Sequence, residues 1–225
     1  MKLHLHSALA ATLAGALLLA VPASAETIKP GEAIAEDSVF SDYMGSEGYM
    51  TRVFAIAEEL DADRDYVCDE TYSISDMRVQ IHEKITINRG DVEPREGEWV
   101  LPMTMTRCGE DMDMTIHSFV TANGDVETTL LMPGETQFYP TEITNLEAVL
   151  PQVIAAAGGE QGCSEIDVIN ATPSAPEGHQ VSMPEMKYET WLISGCGTDV
   201  EVIWRMEPVE DQMQIKVEGI SIPQG

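Results

Sequence analysis

Basic side chains are scarce in this chain. It carries 12 Lys and Arg against 39 Asp and Glu in 225 residues, a formal charge of −27. That balance repels phosphate backbones and anionic lipid surfaces, so nucleic acid and peripheral membrane attachment are poor partners for it. The acids are spread along the chain and not gathered in a tail, so they read as solvated faces. Long apolar runs are missing after residue 25, and no integral membrane segment is expected once the N-terminal region is removed. Recognisable cofactor and catalytic motifs are missing too. There is no phosphate loop, dinucleotide fingerprint, haem attachment site or Cys-x-x-Cys, and "MGSEG" at Met44–Gly48 fails the nucleophile-elbow pattern by one position. No cofactor is expected.

What is present begins with a secretory signal. Lys2 supplies the positive start, Ser7 to Val21 is uncharged and rich in Ala and Leu, and "PASA" ends in the small-x-small pattern that predicts cleavage after Ala25. The residue directly after that point is Glu26 and not Cys, which speaks against a lipid anchor. The signal holds one Lys and no acid, so the mature chain keeps 11 basic and 39 acidic residues, a net of −28. The signal's style places the mature protein in the periplasm.

An oxidising compartment gives meaning to the four cysteines, Cys68, Cys108, Cys163 and Cys196. An even count predicts two disulfides, and four cysteines allow three pairings. An internal repeat selects one. "RCGEDMDMTI" (Arg107–Ile116) lies over "GCGTDVEVIW" (Gly195–Trp204), both giving Cys-Gly-x-Asp followed by strand-like alternation. Each is preceded by a strand with a Trp (Trp99, Trp191), by another Cys, and by an amphipathic helix. The first helix is expected over about Ser46–Leu60, with Ser46 as N-cap and Tyr49, Val53, Ile56, Ala57 and Leu60 on its apolar face. The second covers about Asn145–Ala157, kinked or restarted by Pro151 and ended by Gly158. The pairing that respects this unit is Cys68–Cys108 and Cys163–Cys196.

The resulting fold expectation is α+β: two similar halves, each a helix packed on a 3–4-stranded antiparallel sheet with one internal disulfide. Residues 1–25 are the signal, 26–45 an extended lead-in, 46–135 the first repeat and 144–225 the second. "MRVQIHEKITIN" (Met77–Asn88) sets Val79, Ile81, Ile85 and Ile87 on one face, with Glu83 as an odd acid among them. Residues Asn88–Glu98 and Ala171–Glu185 read as turn-rich loops.

"MTMTRCGEDMDM" (Met103–Met114) raises a question of metal binding. With Cys108-Gly109 as a two-residue hairpin tip, Met105 opposes Met112 and Met103 opposes Met114, all on one face with Leu101 and Ile116. Four thioethers together are a Cu(I) ligand set. The second copy answers the question: the aligned positions there are Trp191, Ile193, Val200 and Val202, none of them a ligand. A face that is Met in one copy and aromatic or β-branched in the other is a packing face, so Met103, Met105, Met112 and Met114 are assigned to the core and no metal is expected.

Other chemistry is thin. Asp61, Asp63 and Asp65 start like a calcium loop, but Tyr66 stands where glycine is required. The mature chain has three histidines, His82, His117 and His179, none at metal spacing from another. His82 and His117 fall on polar strand faces that a sheet could bring together. Glu83, if buried, would hold a raised pKa and serve as an acid or base. "NAT" at Asn170–Thr172 matches the glycosylation sequon but carries no weight in a bacterial host.

The expected function is a non-catalytic periplasmic module binding an unidentified protein, peptide or envelope component, in a groove between the halves. The alternatives are a carboxylate-dependent hydrolase-like enzyme using Glu83, His82 or His117, and a Cu(I)-binding protein. N-terminal sequencing of the exported chain is expected to begin at Glu26; a retained residue 1–25 segment would contradict the signal reading.

Overall fold

The structure, a computed structural model, describes residues 25–63, 68–174, 186–209 and 212–223. The signal up to Ser24, Asp65 of the acidic run and His179 lie outside the described residues.

The chain folds as mixed α+β around two antiparallel sheets, with a helical segment ahead of each. In order come β1 (Ala25–Ile28), α1 (Val39–Met44), α2 (Glu47–Asp63), β2 (Ser73–Met77), β3 (Gln80–Asn88), β4 (Glu96–Arg107), β5 (Glu110–Val120) and β6 (Val126–Pro133). They are followed by α3 (Pro140–Glu147), α4 (Leu150–Ala156), β7 (Ile166–Pro173), β8 (Lys187–Gly195), β9 (Thr198–Val209) and β10 (Gln212–Ser221). The first sheet runs β1-β3-β4-β5-β6, with β2 sharing the same flank of the long strand β4 as β3. The second is the meander β10-β9-β8-β7.

The hairpin register follows the pattern of the sequence. Met103 pairs with Met114, Met105 with Met112 and Leu101 with Ile116. At the tip Cys108 has φ 50° and Gly109 φ 77°; at the second tip Cys196 has φ 48° and Gly197 φ 74°. Two successive positive φ values define the type I′ turn, whose twist matches that of the flanking strands. Cys108 and Cys196 are the non-glycine residues with positive φ among those described. Each tip cysteine is bonded to the cysteine at the exit of its own helical segment, as Cys68–Cys108 and Cys163–Cys196.

Those ties hold helices against one face of each sheet. The Ser46 hydroxyl accepts the Tyr49 N–H at the start of α2, and Tyr49, Val53, Ala57 and Leu60 are buried. They pack with Trp99, Leu101, Ile116 and all four hairpin methionines in the first core. The second core gathers Ile143, Leu146, Leu150, Val153 and Ile154 from α3 and α4 over Trp191, Ile193, Val200, Val202 and Trp204.

Four expectations are changed. The first sheet has six strands and not three or four, because β1 and β2 join it, whereas the second has the expected four. Residues 26–45 are not merely an extended lead-in: β1 pairs with β3 from Ala25↔Asn88 to Ile28↔Ile85, and α1 buries Phe40, Tyr43 and Met44. Elements of four and six residues are too short to print a period on the sequence. The second helix begins at Pro140 and is broken at Ala148–Val149, because Pro151 lacks an N–H and sits in the opening turn of a new helix. Glu83 leaves the apolar face because register shifts on either side of it interrupt the β3–β4 ladder, and it is exposed.

The sheets do not merge into one ladder. A single parallel bridge, Gly134↔Ala171, joins them. A Cβ at Gly134 would collide with the Ala171 backbone, and its φ of +87° suits glycine alone. Thr115, fully buried on the outer face of β5, donates to the Gly134 carbonyl (2.9 Å) and accepts the Thr136 N–H (3.2 Å).

Replacing Met114 by Ala is expected to cost about 2–5 kcal/mol and replacing it by Leu less than about 1.5 kcal/mol. Urea unfolding at neutral pH measures both, and equal costs would contradict a packing role for this face.

Candidate functional site

The inner faces are mainly apolar, and the outer face of the first sheet, where α3 lies across it, gathers several ionisable side chains. A groove of about 510 Å³ separates α3 from that face. Phe119, Leu130, Leu131 and Ile143 give it apolar surface, and Glu83, Glu98, His117 and Glu147 supply its ionisable groups.

The strand register explains how these side chains meet. Phe119 pairs with Glu98 and His117 with Val100 across β4–β5, so the Glu98 side chain reaches the diagonal histidine on the same face. His117 Nε2 and Glu98 Oε1 are 3.0 Å apart, and the imidazole stacks on Phe119 at 5.1 Å between centroids. Glu83 reaches the groove through the same ladder irregularity that removes it from the core.

His82 has a different setting. Its ring meets the edge of Tyr139 at 4.5 Å, and its Nδ1 is buried without a hydrogen-bond partner. Burial pushes its pKa down to about 4, with the charges of His117 and Lys187 adding to the effect. It is therefore a neutral packing ring at physiological pH. Of the three residues singled out from the sequence, Glu83 and His117 share the groove. His82 sits close enough to His117 to interact electrostatically but is held under Tyr139. Among the described residues, no hydroxyl or thiol is hydrogen-bonded to either histidine.

The other candidates have structural partners. Asp61, first of the calcium-like run, accepts from Tyr72 Oη (2.5 Å) and Arg107 Nη1 (3.1 Å) beside the first disulfide. Met103, Met105, Met112 and Met114 lie in the first core. No helix among the described residues is long and apolar enough to cross a membrane.

Sequence reasoning missed Glu189. It lies on the face of β8 that carries Trp191 and Ile193, and is 1% exposed. Its Oε2 accepts the Gln137 N–H (2.8 Å) and its Oε1 the Trp191 indole N–H (2.5 Å). Burial raises its pKa to about 7, opposed by those donors and by the Thr136 hydroxyl. The signal was available: alternation sets residue 189 with 191 and 193, the same test that singled out Glu83.

Comparison with protein-family models, with curated protein sequences and with solved structures finds no match for this chain.

A carboxyl raised in the folded state binds more protons there than in the unfolded chain. Its contribution is fully present below the ordinary carboxyl pKa near 4.5 and lost as pH rises through about 7. Between pH 4.5 and 8 the parent is expected to lose up to roughly 3 kcal/mol more stability than Glu189→Gln. Denaturant unfolding at the two pH values measures this, and parallel pH profiles would contradict it.

Proposed function

We propose that the mature chain is a non-catalytic periplasmic binding module whose inter-half groove takes a cationic, partly apolar segment of a protein, peptide or envelope component. The observation that carries this reading is the character of the groove. Apolar side chains are flanked by three carboxylates and a histidine, with no Lys or Arg among its lining residues. Among the described residues Glu83 and Glu147 have no ion-pair partner, whereas Glu98 is engaged by His117. An apolar surface with a few convergent polar groups is the usual form of a binding site, and the excess of carboxylates selects a cation. Two disulfides suit an oxidising compartment.

We also propose that the halves descend from one duplicated unit. Supporting parallels extend beyond the Cys-Gly tips. Val39 N–H donates to a strand glutamate, Glu26, just ahead of Phe40, as Gln137 N–H does to Glu189 just ahead of Phe138, although Glu26 lies on β1 and Glu189 on β8. Phe40 meets Trp99 edge-on at 5.3 Å, and Phe138 meets Trp191 edge-on at 6.2 Å.

A carboxylate-dependent hydrolase is the weaker reading, because His82 is packed as a neutral ring and His117 is bonded to a carboxylate instead of a nucleophile. The Cu(I) reading is weaker again, since the thioethers fill a core beneath α1 and α2.

Titration with a Lys-Phe-Leu-Lys amide, followed by NMR, tests the binding reading. Shifts are expected at His117, Leu130 and Ile143, and the double variant Glu83→Gln, Glu147→Gln should weaken binding about tenfold, as loss of two screened ionic contacts would. Shifts elsewhere, or an unchanged affinity in the variant, would contradict it.

A further inference from the structure

The two halves differ in how their last strand is covered. In the first half α2 packs against β6. In the second, the helix is broken ahead of Pro151 and α4 packs against β9, one strand short of the meander's end. The inner face of β10 is left facing a trough of about 620 Å³. Trp204, Ile215, Val217 and Ile220 line its sheet side, and Leu146 and Val153 its helix side. Val217 is 43% and Ile220 37% exposed, although pairing with Trp204 and Val202 places them on the core-facing side of the sheet. Contiguous apolar surface of this kind marks an interaction site.

We infer that this trough docks an amphipathic helix with a basic polar face, contributed by a partner protein. Three observations select that occupant. The equivalent strand of the first half is covered by a helix, whereas no helix among the described residues packs over β10 in the same way, so its open face has the shape of a helix site. The helix-side wall is made by two short helices, α3 from Glu142 and α4 to Ala156, each roughly 10–12 Å long at 1.5 Å per residue, which gives a partner helix of two to four turns a wall to lie against. Strand addition is disfavoured: the β10–β9 register shifts between Val217 and Gly219, and a bulge together with the charged Lys216 and Glu218 blunts an edge against another strand. The charge preference follows from the net −28 of the mature chain and from a lining with no Lys or Arg, whose charged residue, Glu142, also accepts the Tyr139 N–H as the cap of α3. α3 turns one side to this trough, through Glu142 and Leu146, and another to the inter-half groove, through Ile143 and Glu147. The two sites are distinct.

The probe is a synthetic Leu/Lys helix of about 15 residues, its Leu at i, i+3, i+4 and i+7, titrated into the full mature protein by calorimetry and NMR. Comparison peptides are a scrambled sequence of the same composition, a Leu/Glu helix and an alternating Val/Lys strand. Saturable binding by the Leu/Lys helix is expected at the trough, with shifts at Val149, Val217 and Ile220 on the unmodified protein that none of the comparison peptides produces, even where a cationic one shifts His117 in the other groove. Val217→Asp and Ile220→Asp should each weaken it about tenfold although each adds a negative charge that would favour a merely electrostatic encounter. Val92→Asp, at an exposed position elsewhere, should leave it unchanged, as should the Glu83→Gln, Glu147→Gln pair of the other groove. Equal shifts at Val149, Val217 and Ile220 with the scrambled, acidic or strand peptide, shifts by the helix confined to other residues, or undiminished affinity in both Asp variants would overturn the inference.

Discussion

A hairpin tip sewn to the end of a helix is the constraint on which this structure depends, and the chain applies it twice. The type I′ turn demands positive φ at both tip residues. Gly109 and Gly197 meet the demand cheaply, while Cys108 and Cys196 adopt it at a cost of roughly 1–2 kcal/mol each. The covalent bond compensates by restricting the unfolded chain, worth about 4 kcal/mol for loops of this size in the chain-entropy account. Arg107 reinforces the first tie, donating to the Cys68 and Glu70 carbonyls and pairing with Asp61 at the end of α2. The helix exit and the hairpin tip are thus held by sulfur, hydrogen bonds and charge at one corner.

Consequences for function follow from where that leaves polar groups. With helices fixed over the inner faces, the thioethers and indoles become core, and the first sheet's outer face is the ground on which the second half settles. Thr115 clasps Gly134 and Thr136 there, and Glu189 holds the next residue, Gln137, from the other sheet. That short run of contacts positions α3, which forms a wall of both grooves. Glu189, buried at this joint, ties β8 to the segment that leads into α3.

Legibility in the sequence tracked the strength of local constraint. Cys-Gly tips, the Met-face register and the apolar stripe of α2 were readable, because each is set by a two-residue turn or a sustained period. β1 and α1 were not, being too short to show periodicity and held by tertiary contacts such as Glu26 to Val39. The displacement of Glu83 depended on ladder irregularities that no alternation rule anticipates. Glu189 was legible and overlooked. The grooves could not be read at all, since they arise from how far a broken helix reaches across a sheet and how the halves abut.

Non-reducing proteolytic mapping of the mature protein tests the covalent frame most directly. Linked peptides containing Cys68 with Cys108, and Cys163 with Cys196, are the predicted products. A bridge from either of the first two cysteines to either of the last two would dismantle the two-half architecture and, with it, the placement of α3 and both grooves.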